Sequence, residues 1–390
     1  MLTHGRQLTV TVGCVGNRWS VIDIEPGDTE ESHFAVAVDL GTTTVVARLV
    51  DMNQGRVLRT AASYNQQIQR ADDVASRIAC CHSAEQVRDL QRLLVQETVN
   101  ALIETLCTEQ EISTDWISRI AVSGNTVMTH LFLGISPQSI GQVPFQPVAN
   151  RYGEYRARDL QLRINPLGIV DVVPSVSGYV GGNIVSDIYV ARMFEREEPT
   201  LLVDIGTNGE IVYCENGRYT VCATAAGPAF EGYGTTFGCR AASGAIEHIS
   251  FGSDLQFDIR VIGGGLATGL CGSAIIDFIA CGIRCGLINR MGRFNVEQLR
   301  DARRYLCIEE MCGAVNACVV AAAPQSAGGE PIYVSEADVA QILKAKAAIY
   351  AGMKTLLGVC NKSFSDLQRF CLAGGFARHI DLKNAISIGL

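Results

Sequence analysis

One piece of local grammar, written twice, most constrains this 390-residue chain. Asp39-Leu40-Gly41-Thr42-Thr43-Thr44 and Asp204-Ile205-Gly206-Thr207-Asn208-Gly209-Glu210 each follow an apolar run, Phe34-Ala35-Val36-Ala37-Val38 or Leu201-Leu202-Val203, and each passes into a β-branched stretch. The pattern predicts a strand, a tight turn and the second arm of a hairpin in both places. Such a turn points backbone N–H groups inward. Glycine lets the main chain approach an anion without a Cβ in the way, threonine hydroxyls add donors, and the leading aspartate can hold Mg²⁺ through water. A single Asp-x-Gly-Thr is more often an ordinary hairpin turn, because turn chemistry favours the same residues. Two copies in two halves of one chain imply two similar subdomains facing one phosphate-bearing ligand across a cleft.

A third signal lies near the C-terminus, where Phe370-Cys371-Leu372-Ala373-Gly374-Gly375-Phe376-Ala377-Arg378 reads as an apolar strand, a Gly-Gly turn and a helix-compatible stretch. Together the three resemble the superfamily of acetate and sugar kinases, heat-shock ATPases and actin (ASKHA). Within it, the chain is similar to the ATP-dependent reductive activators of corrinoid proteins, which are RACo- and RamA-like. The resemblance covers residues 34 to 390. It is carried by the first turn, by Asn65-Gln66-Gln67 with Asp73-Val74-Ala75-Ser76-Arg77-Ile78, and by Gly124-Asn125-Thr126-Val127-Met128-Thr129-His130-Leu131-Phe132-Leu133-Gly134-Ile135. Gly227-Pro228-Ala229-Phe230-Glu231-Gly232, Cys271-Gly272-Ser273 and Ala345-Lys346-Ala347-Ala348-Ile349 add to it.

The resemblance implies an α/β fold: two ribonuclease-H-like (actin-like ATPase) subdomains around an interdomain nucleotide cleft, with mixed five-stranded sheets flanked by helices. Residues 1–33 are expected to be a linker or remnant, 34–199 the first subdomain and 200–390 the second, the boundary being the acidic run Glu195-Arg196-Glu197-Glu198-Pro199. Implied cofactors are ATP and Mg²⁺. The nucleotide would be held by Gly41, Thr42, Thr43 and Thr44, by Gly206, Thr207, Asn208 and Gly209, and by Gly272, Ser273, Gly374 and Gly375, the last two against adenosine. Asp39 and Asp204 would hold Mg²⁺ through water. Asp39, Asp187 and Asp204 compete for the catalytic task of orienting the attacking water. Glu231 is a cleft residue whose role stays open between nucleotide contact, partner contact and helix capping.

The implied activity is ATP-dependent reductive activation of a corrinoid protein, Co(II) to Co(I), serving a methyltransferase system. The partners would be that corrinoid protein or methyltransferase and a low-potential, ferredoxin-like electron donor; homodimer formation stays open. No Cys-x₄-Cys-x₂-Cys spacing for a plant-type [2Fe–2S] cluster is present: Cys307, Cys312 and Cys318 miss it. An iron–sulfur cluster is therefore expected only in a domain or donor outside this chain. Three alternatives remain: an activator of the 2-hydroxyacyl-CoA dehydratase type, for which Cys281 and Cys285 would be the cluster ligands, a small-molecule kinase, and a non-catalytic actin-like scaffold.

Composition narrows the setting. A chain that is 48% hydrophobic and 18% charged has material for sizeable cores. Its 15 cysteines follow no secretory framework, which suits a reducing cytoplasm. The opening Met1-Leu2-Thr3-His4-Gly5-Arg6 leads into polar alternation rather than an apolar signal core. No run reaches the roughly 18 apolar residues of a membrane span, and a net charge of −8 argues against nucleic acid. Ala84–Leu106 reads as an amphipathic helix through Val87, Leu90, Leu93, Leu94, Val99 and Leu102. Residues 142–165 read as a surface excursion, and His130 as a core histidine.

Overall fold

Val36, Val38 and Leu40 stand opposite Leu49, Ala47 and Val45 across one strand boundary, and Val36 and Val38 stand opposite Ile120 and Val122 across the next. All eight are buried. These cross-strand pairs line one face of the first sheet, and the period-2 spacing of apolar residues in the sequence is what places them there. The computed structural model describes residues 7–310, 313–377 and 379–390; Arg378, Cys312 and the first six residues lie outside them. The chain divides into two units, Met1–Val190 and Ala191–Leu390.

The first unit opens with a hairpin of β1 (Leu8–Val15) and β2 (Arg18–Pro26) in the stretch read as a linker. Buried Ile22 anchors it, as do hydrogen bonds from Arg156 Nη2 to Ser20 Oγ (2.9 Å) and from Asn165 Nδ2 to Asp23 Oδ2 (2.6 Å). Then β3 (Phe34–Leu40), β4 (Thr44–Asp51) and β5 (Arg56–Tyr64) form an antiparallel meander. Helices α1 (Val74–Ala79), α2 (Ala84–Leu94) and α3 (Asn100–Gln110) follow. Next, β6 (Ile117–Gly124) lies parallel to β3, and α4 (Thr126–Phe132) starts at once from Asn125. The sheet is completed by β7 (Tyr155–Arg156) and by β8 (Ile169–Val172), which runs parallel to β6; α5 (Gly182–Val190) ends the unit.

The six apolar positions of the expected long helix are all buried. The helix itself differs from the expectation at one turn: Val95–Val99 is wound as a π-turn. There Thr98 Oγ1 donates to Leu93 O (2.9 Å) and accepts from Gln66 N (3.1 Å). The wider turn keeps Val95, Thr98 and Val99 all buried, where a uniform 3.6-residue winding would rotate part of the set away. The surface excursion is shorter than read: residues 142–154 are largely exposed, but Ala157, Leu160, Leu162 and Ile164 turn into the core.

In the second unit β9 (Thr200–Ile205), β10 (Gly209–Glu215) and β11 (Arg218–Thr224) repeat the meander. A small sheet of β12 (Ala245–Ser250), β13 (Asp258–Val261) and β14 (Gly269–Leu270) leads to α6 (Gly272–Arg284). After α7 (Val296–Asp301), a second small sheet is built from β15 (Tyr305–Glu310), β16 (Gly313–Ala321) and β17 (Ile332–Ser335). The long α8 (Glu336–Val359) returns the chain to β18 (Arg369–Ala373), parallel to β9, and α9 (Leu382–Ile388) follows.

The expected five-stranded sheets are corrected in both units. The first sheet has six strands in the order β5-β4-β3-β6-β8-β7, because the excursion adds a two-residue edge strand. The second has four, β11-β10-β9-β18, and among the described residues β18 pairs only with β9. Strands β12 to β17 form their two three-stranded sheets apart from it. No helix among the described residues is long and apolar enough to cross a membrane.

Candidate phosphate-binding turns

In the first unit, β3 ends at Leu40, Gly41-Thr42-Thr43 turns, and β4 begins at Thr44. A Cβ on Gly41 would collide with the carbonyl oxygen of Thr44, so the turn closes only around a bare main chain. Two asparagines hold it. Asn65 Nδ2 donates to Gly41 O (3.0 Å), and its main-chain N donates to Thr43 O (2.9 Å). Asn125 Nδ2 donates to Thr42 Oγ1 (3.0 Å), while its Oδ1 accepts from Met128 N (2.9 Å) and so caps α4. Three carbonyl or hydroxyl oxygens of the turn are thereby engaged by donors behind it. Thr42 is buried, and Asp39 is exposed, in register with Ser123 of β6. Ser123 Oγ meets Ser186 Oγ at 3.1 Å, which brings α5, with Asp187, to the strand end that carries Asp39.

In the second unit the turn Gly206-Thr207-Asn208 is closed by Gly206 N donating to Asn208 O (3.1 Å), and Gly227 N donates to Thr207 O (2.9 Å). Thr207 Oγ1 donates to Glu231 Oε1 (2.8 Å), so Glu231 accepts this threonine's hydroxyl proton. Asp204 pairs in register with Glu210 across β9 and β10, so two carboxylates lie side by side at the mouth of the turn, the second of them 3% exposed. Gly374 has φ +92°, and a Cβ there would lie 2.5 Å from Ile205 O and 2.6 Å from Asp204 Oδ1. The Gly-Gly turn is thus packed directly on the aspartate. Phe230 stacks on Phe376 with centroids 5.2 Å apart, joining the Glu231 turn to the Gly374-Gly375 turn.

Of the residues read from the sequence in this unit, Gly206, Thr207, Asn208, Glu231, Gly374 and Asp204 gather here. Gly272 packs on the carbonyl of Phe230, next to Glu231. Two others are placed in packing roles: a Cβ on Gly209 would meet Thr224 Cγ2 at 3.0 Å and Ile349 Cγ1 of α8 at 3.1 Å, and buried Ser273 spends its hydroxyl on Glu247 O (2.8 Å). Gly375 has open space above its Cα.

The turns fit a nucleotide phosphate and a hydrated divalent ion. Bare-backbone approach and an adjacent carboxylate pair are the chemistry such a group requires, while the Thr207 hydroxyl proton is held by Glu231. Among the described residues no group of three or more His, Cys, Asp or Glu side chains is arranged to hold a metal ion directly. Cys271, at the N-cap of α6, is buried beside Cys239; the hydrogen bond between the two thiols holds Cys239 down and pushes Cys271 up. His130 is fully buried, with Nδ1 against Thr126 O (2.8 Å), and burial lowers its pKa.

The sequence motifs contain Asn65, Gln67, Arg77 and Glu210 but assign none of them a role. Their signal was spacing alone: nothing local says that Asn65 folds back over Gly41.

The family described as "RACo middle region" matches residues 34–196, and that described as "C-terminal domain of RACo the ASKHA domain" matches residues 198–390. The chain belongs to the RACo family. It is 34% identical over 381 residues to the corrinoid activation enzyme RamQ of Eubacterium limosum, covering 96% of this chain and 63% of that protein. It is 21% identical to the [Co(II) methylated amine-specific corrinoid protein] reductase of Methanosarcina barkeri, over 91% of this chain and 65% of that one. The solved structure of a reductive activator for corrinoid,iron-sulfur protein matches with a TM-score of 0.90 at 37% identity, over 97% of this chain and 60% of that one. The chain thus spans somewhat under two thirds of the length of these RACo-type relatives.

Proposed function

We propose that this chain is the ATP-dependent part of a reductive activator of corrinoid proteins, driving Co(II) to Co(I) in a partner that serves a methyltransferase system. The observation that carries the proposal is the Thr207–Glu231 lock on a glycine-threonine turn beside the Asp204–Glu210 pair, in a RACo-family chain. Gly41–Thr44 and Gly206–Asn208 bind the phosphates, with Gly209 packed behind the second turn, and Gly374-Gly375 meets the adenosine. Asp39 and Asp204 hold hydrated Mg²⁺, and Asp187 shares with them the orientation of water. Bound ATP supplies a phosphoanhydride whose cleavage is favourable by a wide margin.

The chain's own contribution is coupling. One electron passes from a low-potential, ferredoxin-like donor outside this chain to Co(II), with no bond made to the protein. The couple is too negative for common donors, so the protein must bind the readily reduced form of the partner better in one nucleotide state than in the other. Each 1.4 kcal/mol of that difference shifts the partner's equilibrium about tenfold. A thiol-rich chain of this kind suits the cytoplasm.

The test is Co(I) absorbance in a Co(II) corrinoid protein mixed with this chain and a chemical reductant, with and without ATP. Co(I) accumulation that requires ATP and is abolished by Asp204→Ala supports the proposal. A corrinoid spectrum indifferent to ATP removes it.

A further inference from the structure

Arg77 heads the largest fully buried side chains of the described residues, with 0% exposure, and it is a cation. Each polar partner it meets is uncharged: Nε donates to Ala71 O (3.1 Å), Nη1 donates to Gln67 Oε1 (3.1 Å), and Nη1 also lies 3.1 Å from Met128 Sδ. Nη2 has no hydrogen-bond partner among the described residues. Asp72 and Asp73 act on the guanidinium only at a distance and do not cancel its desolvation, which lowers its pKa to about 10. A buried charge without a paired counter-charge is costly, and proteins rarely keep one that packing alone could replace.

Its position suggests what the charge is for. Gln67, which accepts from Arg77, donates its main-chain N to Asn65 Oδ1 (3.1 Å). Asn65 is the residue that ties back the carbonyls of Gly41 and Thr43. Met128 Sδ, touched by Arg77, also lies 3.6 Å from Asn65 Nδ2, and the main-chain N of Met128 is held by Asn125, the second asparagine of the turn. One residue therefore separates the buried cation from each side chain that shapes the Gly41–Thr43 turn. The interior between them has few dipoles free to screen, so a charge there is felt at the turn far more strongly than one in water.

We propose that Arg77 is a positioning residue for the polyphosphate of the nucleotide, its unpaired charge biasing the first turn toward an anion while Gln67 and Asn65 hold the turn's carbonyls away from it. This rests on the reading that the Gly41 turn binds nucleotide phosphates. It adds that affinity there depends on a charge that touches no part of the ligand. Tying Gly41 O and Thr43 O to donors behind the turn leaves its N–H groups for the ligand, and the guanidinium supplies the sign of the field.

The experiment compares ATP and adenosine binding by calorimetry, and melting temperature without nucleotide, in the wild type, Arg77→Met and Arg77→Lys. Methionine keeps an unbranched side chain of similar reach without the charge. Expected for Arg77→Met is ATP binding weakened about tenfold or more with adenosine binding unchanged; the melting temperature, which loses the bonds to Ala71 O and Gln67 Oε1 along with a buried charge, serves as the check that the variant is folded. Arg77→Lys, whose buried ammonium gives up its proton far more readily than a guanidinium, should bind ATP no more weakly than Arg77→Met and recover affinity as pH falls from about 8 to about 6. ATP affinity unchanged in Arg77→Met, or ATP and adenosine weakened in equal proportion, overturns the inference. If Arg77→Met does not fold, Arg77→Gln is read by the same ratio. A wild type that binds no ATP overturns instead the nucleotide reading itself.

Discussion

Thr207 Oγ1 donates a 2.8 Å hydrogen bond to Glu231 Oε1, tying the second glycine-threonine turn to a single turn of helix at Pro228–Glu231. Hydrogen bonds to charged acceptors are worth about 1.5–3 kcal/mol. Glu231→Ala removes this acceptor, and ATP affinity is expected to fall roughly 10- to 100-fold. Thr207→Ser, which keeps the hydroxyl, should stay within about threefold. Titration with a non-hydrolysable ATP analogue reads both. An unaltered affinity in Glu231→Ala would mean the bond does not shape the turn.

The Gly-Gly turn allows a sharper contrast between neighbours. Gly374 sits at φ +92° with Asp204 Oδ1 and Ile205 O where a Cβ would go, whereas a Cβ on Gly375 would meet nothing within 4 Å. Gly374→Ala combines left-handed strain with a collision, and should cost about 1–3 kcal/mol while displacing Asp204 and lowering ATP turnover. Gly375→Ala should leave stability unchanged. Equal behaviour of the two variants in melting and ATPase assays would refute the placement of Asp204 under Gly374.

What the sequence revealed and what it hid divide along the range of the interaction. The hairpins flanking both turns, and the buried stripe of Val87, Leu90, Leu93 and Leu94 on α2, are legible because periodicity within a dozen residues decides them. The motifs resemble those of the reductive-activator family, and both regions of that family match the chain. Hidden were contacts whose partners are far apart in the chain: Asn65 on Gly41, Glu231 on Thr207, Gly374 on Asp204. The π-turn at Val95–Val99 was equally invisible, since the buried hydroxyl of Thr98 that marks it looks in sequence like any helical threonine. Strand count failed where edges are short: β7 has two residues and leaves no periodicity to read.

Asp277 of α6 holds the C-terminal helix. It is 2% exposed and accepts from His248 Nδ1 (2.9 Å) and from Asn384 Nδ2 of α9 (2.6 Å), while Arg284 Nη1 donates to Asn384 Oδ1 (2.7 Å). Asp277→Ala leaves the half-exposed His248 and Asn384 donors without their buried acceptor, at a cost of about 2–3 kcal/mol. For a unit of this size, each kcal/mol is worth roughly 2–4 °C. A melting temperature lowered by about 5–10 °C is expected, with hydrogen exchange in α9 accelerated before that of β9. Uniform loss of protection across the unit would contradict the local role of this contact.

The last prediction concerns alkaline pH. Cys318 on β16 is fully buried, and burial pushes its thiol up to about 12. In the unfolded chain a cysteine titrates near 8.5. Because the folded value is the higher one, the thiol's contribution is whole below the unfolded value and is lost as pH climbs from about 9 toward 12, where the unfolded state gives up its proton and the folded state does not. One group with that gap costs about 2 kcal/mol between pH 8 and pH 10. Cys81 and Cys107, raised by burial to about 11, impose the same slope on the first unit. Cys318→Ala should therefore be less stable than the wild type at pH 7, through the lost sulfur, yet lose less of its stability on going to pH 10. Melting curves of the second unit at pH 7, 8, 9 and 10 decide it: curves that converge as pH rises support the buried thiol, and curves that stay parallel would show that Cys318 does not titrate on unfolding in this range.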